Sequence, residues 1–515
     1  MPTREESPPE TPPADASRSN QLTVPSADRG GLSSFLEGAI FFFLCLFAIL
    51  LPHSIKGAQH SWQIAFLFWM AKLAVERKRP FPQPLSAPLL VFVTLSAIST
   101  ALSPDPYLSW DRMKLVCLVL AGIVVAQSLQ RLSQVRVLVF LLILSGLAVA
   151  AFTAWQYSYG VGVRVALIAP QTPLYKAHVH HDDIITHING HSVHTPAQLE
   201  RIIEQSPPGT LFRIDYLRGF PFQKEQTFVT REQVMKSAFG TYWLQFARGR
   251  PFRAQGTLGH YVVFAEMLMQ LGCMSWAMLL STAPRKTGLW LLFALTFAAL
   301  AVALLLSETR AALAGLAAGC FVALWALAGK RVRVWATSLL VFGCVAGGLW
   351  MYHARGLSLE DTHDPGTQFR RLMWEDGVRL ARQHPWFGVG METTRVHWQE
   401  WNIRGFALYH VQSHFHSTPL QIAVERGLPA LIAWVWFVVA YLVFLVRLLR
   451  RTRERSRFAA GVVGGVLAGF VAFQTTSLVH YNLGEEPLVM ILFFYFGLAL
   501  AIDRMLKTPG AVDVP

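Results

Sequence analysis

The chain has 515 residues, of which 53% are hydrophobic and only 15% charged. Soluble domains carry roughly 25% charged residues, so an ordinary soluble protein of this length is excluded. The net charge of +14 would suit nucleic acid, but the basic residues sit in short loops between apolar runs. That is the pattern that orients membrane proteins, not a nucleic-acid face.

Residues 1–31, rich in Pro, Ser, Asp and Glu, have no apolar core and read as a disordered cytoplasmic tail (1–32) rather than a signal peptide. Apolar runs follow near 34–53, 61–76, 85–102, 113–129, 135–157, 257–280, 288–306, 311–329, 334–352, 428–446, 459–479 and 486–503. Most are roughly 18–23 residues long, enough to cross a hydrocarbon core about 30 Å thick. The expected architecture is an α-helical polytopic membrane protein of about twelve spans, five in residues 33–157, four in 233–353 and three in 428–505, with a tail at 506–515. The five cysteines all fall inside apolar runs and read as small packing residues.

Basic loops alternate along this series: Arg77-Lys78-Arg79, Arg131 with Arg136, Arg285-Lys286, Lys330-Arg331 with Arg333, and the run from Arg447 to Arg457. All fall on the side of both termini, which the K/R bias makes the cytoplasm. Residues 158–256 and 353–427, with the turn Ser307-Glu308-Thr309-Arg310, then face the other way. On that face no nucleotide donor is at hand, so an activated donor must arrive on a lipid.

Residues 158–232 read as a small inserted α+β domain. VRVALIAP is a strand, and two short strands turn at Asn189-Gly190. Thr195-Pro196 opens a helix in which Leu199, Ile202 and Ile203 share a face. LFRIDYLRG and QKEQTFVT are two more strands. Six histidines (His178, His180, His181, His187, His191, His194) lack a Cys or carboxylate at ligand spacing, and read as surface or strand residues rather than a metal site.

Residues 354–427 hold the densest polar set, and form the expected catalytic loop. Arg370-Arg371 opens an amphipathic helix, Pro385-x2-Gly388-x-Gly390 ends it, and His414-Phe415-His416 follows. Arginine offers a planar fork of donors suited to a diphosphate, and histidine takes a proton near neutral pH. Arg310 interrupts two apolar spans; the alternative to phosphate binding there is snorkelling to headgroups. An H-x-H pair can hold Zn²⁺, but no third ligand lies at a suggestive spacing, so no metal or other cofactor is expected.

These motifs carry two resemblances. Asp183-Ile184-Ile185 and Ile188-Asn189-Gly190 resemble the "GD-I-I … I-N-G" stretch of bacterial PDZ domains, with His181-Asp182 in place of Gly-Asp. That implies capture of a peptide or protein partner as an added strand, with Tyr159-Gly160-Val161-Gly162 as the carboxylate-binding loop. Thr309-Arg310-Ala311, Arg370-x3-Trp374, Pro385-x2-Gly388-x-Gly390 and Glu485-Glu486 resemble the O-antigen ligase and polymerase superfamily of bacterial membrane glycosyltransferases. The ligase pattern of His, Ser, nine residues and Gly is met by His416-Ser417 and Gly427, with Ala430 departing at its last position.

The resemblance implies metal-independent, inverting transfer of a glycan from an undecaprenyl-diphosphate carrier to a sugar hydroxyl, such as that of a lipid A-core acceptor, at the periplasmic face of a bacterial inner membrane. His416 would be the base with His414 supporting it, while Arg310 and Arg370 hold the diphosphate, with Arg371 as the alternative to Arg370 and Arg253 as a third contact. Rival readings are an O-antigen or exopolysaccharide polymerase, a protein O-oligosaccharyltransferase and a transporter. A transporter would need polar groups at mid-bilayer, for which His260, Glu266 and Gln270 are the notable set. An intramembrane metalloprotease would need H-E-x-x-H, which the chain lacks.

Overall fold

The computed structural model describes residues 26–78, 80, 84–159, 162–218, 223–237, 244–249, 253–283, 285–355, 365–409 and 414–507. The expected N-terminal tail lies outside them as far as residue 25, and the C-terminal tail from 508 onward. Six helices open the chain: α1 (Ser26–Leu50), α2 (Ile55–Glu76), α3 (Ser86–Ala101), α4 (Pro106–Cys117), α5 (Val119–Ser128) and α6 (Leu132–Tyr159). A sheet region follows, with β1 (Val163–Ile168), α7 (Pro173–Lys176), β2 (Ile184–Ile188), β3 (His191–Ser192), α8 (Pro196–Gln205), β4 (Leu211–Arg218), β5 (Gln223–Thr230), α9 (Arg231–Lys236) and β6 (Leu244–Arg248). The chain returns to the bundle in α10 (Tyr261–Ser281), α11 (Thr287–Leu306), α12 (Arg310–Leu327) and α13 (Lys330–Arg355). Then come α14 (Pro365–Gln383), α15 (Thr393–Val396), α16 (Arg404–Tyr409), α17 (Thr418–Arg453), α18 (Arg457–Ser477), a 3₁₀ turn at Asn482–Gly484, and α19 (Glu486–Lys507).

Among the described residues nine helices are long and apolar enough to cross a membrane: α1, α6, α10, α11, α12, α13, α17, α18 and α19. Twelve spans were expected from hydropathy, and the other three are present as helices that fall short. Lys56, His60, Gln63 and Lys72 dilute the apolar surface of α2. The 16 residues of α3 reach only about 24 Å at the helical rise. The fourth expected span is split at Leu118 into α4 and α5.

The centre of the bundle is α10, α18 and α19, whose residues are the most thoroughly buried. Small residues let the helices touch where lipid gives no hydrophobic drive between them. A Cβ at Gly319 of α12 would meet the Ala468 carbonyl oxygen of α18 at 2.6 Å.

Charge divides the bundle lengthwise. At one end Lys72 pairs with Glu37 at 2.6 Å, Arg451 with Asp503 at 2.7 Å, and Arg504 donates to the Gln127 carbonyl at 3.1 Å. At the other end the connecting segments are sewn to each other. Thr257 donates to the Pro52 carbonyl (2.7 Å), Ala254 N–H to the Leu306 carbonyl (2.9 Å), and Ser109 to the Met391 carbonyl (3.1 Å). That second end carries residues 306–310, 385–392, 414–427 and 478–486.

The sheet runs β5-β4-β2-β1-β6, with β3 on β2, and all pairings are antiparallel. Asn189 and Gly190 both take positive φ (49° and 81°) in the turn that joins β2 to β3, as the Asn-Gly pair requires. The Thr195 hydroxyl accepts from Gln198 N–H at 3.2 Å and caps α8, which buries Leu199 and Ile203. The helices α7 and α9 and the strand β6 had no counterpart in the sequence reading. His178, His181, His191 and His194 are exposed, and His180 and His187 half-buried.

Candidate active site

The polar loop is fixed by backbone contacts. One face of α14 buries Met373, Leu380 and Ala381 in a small core with Phe415 and Val424. Its one buried acid, Asp376, accepts from Arg404 at 2.9 Å and Arg379 at 3.2 Å. Beyond the helix the turn 385–390 lies against α17. Val389 N–H donates to the Val424 carbonyl and Gly390 N–H to that of Glu425, both at 2.9 Å, while Leu428 N–H donates to the Pro385 carbonyl at 2.7 Å.

Gly427 breaks α17 at that contact, with φ 82° and ψ 170°. A Cβ there would lie 2.2 Å from the Trp386 carbonyl oxygen, and one on Gly388 (φ +66°) 2.3 Å from the Glu425 carbonyl carbon. The glycines of the two motifs are therefore partners, each letting the other's backbone approach.

This contact sets the histidine loop. Gln421 accepts from Phe415 N–H and donates to Glu425, both at 2.8 Å, and Glu425 also accepts from Glu392 N–H at 2.9 Å. His416 N–H donates to His414 Nδ1 at 3.1 Å, which leaves the His414 proton on Nε2. The two rings lie 4.4 Å apart, and the Phe369 ring meets His416 edge-on at 5.5 Å. His416 has a positive φ of 50°, sparsely populated for a side chain other than glycine. Its Nε2 is buried and has no hydrogen-bond partner among the described residues. Burial, then the charges of Arg370 and His480, push its pKa down to about 3. Burial and the neighbouring His416 take His414 well below the usual range too.

A second pair of groups approaches from the α18–α19 turn. His480 Nδ1 lies 2.7 Å from the Glu266 carboxylate, both buried. Thr476 donates to the other Glu266 oxygen at 3.0 Å, and Thr418 donates to the His480 carbonyl at 3.0 Å. Burial opposes charge on His480, but the Glu266 carboxylate outweighs it and raises the pKa. Burial raises Glu485. The ligating atoms of His414, His480 and Glu485 all lie within 4.8 Å of one another, close enough to hold a metal ion. Spacing had offered no third partner for the H-x-H pair; the fold instead groups His414, without His416, with two residues from a segment more than 60 residues away.

The expected arginines divide. Arg370 is exposed and close enough to lower the pKa of His414, His416 and His480. Arg371 turns to Glu375 (3.1 Å) and is 82% exposed. The Arg253 guanidinium lies 4.3 Å from the centre of the Tyr261 ring. Arg310 is exposed as the first residue of α12, without a hydrogen bond or ion pair among the described residues. Beside it, Glu308 has φ 52°, is nearly buried, and burial raises its pKa to about 7. Thus His414, His416 and Arg370 come together, while Arg253 and Arg310 share their end of the bundle. Sequence reasoning missed His480 and Glu308. The only signal for either was a polar residue at the end of an apolar run.

Fold and site together describe a multi-pass helical membrane protein that carries a small sheet domain and a histidine–arginine site at one end. Comparison with protein families makes this specific. Residues 295–435 match the O-antigen ligase family and residues 130–228 match the PDZ domain family, the latter taking in α6 as well as the strands β1 to β5. Over these segments the chain matches an O-antigen ligase domain and a PDZ domain, which supports a membrane function of the O-antigen ligase or polymerase type. No curated protein matches it.

Replacing Gly427 tests the backbone contact. Gly427→Ala forces a side chain into a φ, ψ region that is essentially glycine's own and against Trp386. Glycan transfer is expected to fall at least tenfold while helical circular dichroism is unchanged; transfer at the wild-type rate would show that the contact does not position the loop.

Proposed function

We propose that the protein transfers a glycan from an undecaprenyl-diphosphate carrier to an acceptor sugar hydroxyl, on a glycan or a lipid A-core, at the periplasmic face of the inner membrane, with both termini cytoplasmic. The observation that carries the reading is His416 Nε2, buried, without a hydrogen-bond partner among the described residues, and within electrostatic reach of Arg370. In the proposed step His416 Nε2 takes the acceptor hydroxyl proton as the oxygen attacks the anomeric carbon. The carbon–oxygen bond to the diphosphate breaks with inversion, and the electron pair leaves on undecaprenyl diphosphate. Arg370 stabilises the charge that develops there, with Arg253 and Arg310 as further phosphate contacts. His414 holds the His416 backbone through its Nδ1. The spacing from His416-Ser417 to Gly427 favours ligation over polymerisation, while Ala430 departs from the ligase pattern at its last position.

His416→Ala should leave binding of the lipid donor intact and reduce transfer by about 10²–10⁴-fold, the usual scale of general-base help. The assay is transfer from a purified lipid-linked glycan in a chelator. Near wild-type transfer by the variant would remove His416 from the role of base. Loss of wild-type activity in the chelator would assign His414, His480 and Glu485 to a metal. In the same assay Arg370→Lys is expected to slow transfer at least tenfold, since an ammonium cannot replace a bidentate fork; an unimpaired lysine variant would exclude that contact.

The charge on Arg370 also predicts a pH dependence. In the free protein His416 is neutral far below the usual histidine value of about 6.5, so kcat/KM should stay level toward low pH without the usual histidine limb. A bound diphosphate offsets Arg370 and raises the basicity of His416. The acid limb of kcat, which reports the complex, is expected at higher pH than that of kcat/KM. Coincident limbs near 6.5 would contradict this account.

A further inference from the structure

The PDZ match ends at residue 228, yet the sheet has one strand more. The strand β6 lies outside the match and adds antiparallel to the edge of β1, with Val163 opposite Arg248, Arg164 opposite Ala247, Val165 opposite Phe246 and Ile168 opposite Leu244. Pairing continues past the strand, because Gly249 N–H donates to the Gly162 carbonyl at 3.0 Å. On the other side β6 packs against α8. Leu244 is fully buried in one core with Leu199 and Ile203 of α8, and Phe246 packs against that core. An extended segment that adds to a sheet edge with main-chain bonds, and sends alternate side chains into a groove, is the mode by which such domains take a ligand. Here the ligand is the chain itself.

We propose that Leu244–Arg248 is the resident occupant of the groove between β1 and α8, and that the domain captures an external extended segment only by exchange for it. The external partner is a protein segment that presents two apolar side chains at alternate positions, as Leu244 and Phe246 do. A tethered occupant acts at an effective concentration on the order of millimolar, so a free peptide competes poorly until the tethered one leaves. Only Gly249 to Phe252 separate this strand from Arg253, so the occupied groove anchors the chain just before it reaches the end of the bundle that carries the candidate site.

The test uses the full-length protein in nanodiscs and a fluorescent peptide with the sequence of residues 243–249. Leu244→Asp with Phe246→Asp empties the groove, and this double variant should bind the peptide at least tenfold more tightly than wild type. Independently, Arg164→Cys with Ala247→Cys places two cysteines at paired positions, where facing Cα atoms about 4.5–5.5 Å apart permit a disulfide. That bond should form under mild oxidation, identified by mass spectrometry of the linked peptides, and excess peptide should slow its formation. Wild type binding the peptide as tightly as the emptied variant would overturn the proposal. So would failure of the cysteines to link, or linking at a rate that excess peptide does not change.

Discussion

The contact on which the site depends is made by two stretches of backbone. The turn 385–390 and the break in α17 at Gly427 exchange main-chain hydrogen bonds at 2.7–2.9 Å, at a separation no side chain would allow. Buried main-chain groups must find partners, and a helix broken at the mouth of the bundle exposes several. The turn satisfies them, and so fixes where α17 breaks. The histidine loop enters the same helix at Thr418, ahead of the break, and Gln421 and Glu425 extend the hold to Phe415. The nine helical residues from Thr418 to Arg426 are thus about two and a half turns that place one imidazole at a set height above the break.

Electrostatics act on this frame in opposite senses. Burial and Arg370 keep His416 neutral, whereas the Glu266 carboxylate favours charge on His480. Two histidines in one pocket therefore have different protonation preferences, set by which neighbour is charged. A neutral imidazole whose nitrogen has no partner among the described residues suits proton abstraction, and a cation within electrostatic reach of it suits an anionic donor. The basic residues at the opposite end of the bundle interact with Asp503, the Gln127 carbonyl and the Leu506 carbonyl instead, away from the site.

The sheet domain and the bundle meet through the chain that joins them. Residues 244–257 first complete the sheet as β6, then carry Arg253 onto Tyr261, then tie to Leu306 and Pro52. One short stretch therefore belongs in turn to the sheet domain and to the end of the bundle that carries the candidate site. Its apolar–polar alternation at Leu244, Gln245 and Phe246 is a strand pattern, but too brief to be read as one beside a membrane segment.

Much of this was legible in the sequence because it is local. Apolar length gave the helical membrane class, and the strands β1, β2, β4 and β5, the Asn-Gly turn and the Thr195 cap followed from period and turn chemistry. The histidine and glycine motifs marked the loop with His416, His414 and Arg370. Span number was less legible: hydropathy counts apolar residues, and cannot see that α3 is too short or that Leu118 divides a run. What only the tertiary structure decided is which distant residues meet. His480 reaches the histidine pair and Glu266 because α10, α18 and α19 pack at the centre, and Arg371 turns to Glu375 because the helix face allows one of two adjacent arginines toward the site. β6 joins β1 because a sheet edge bonds to any extended backbone. Local rules carry period and propensity; the meeting of segments more than 60 residues apart is fixed by packing alone.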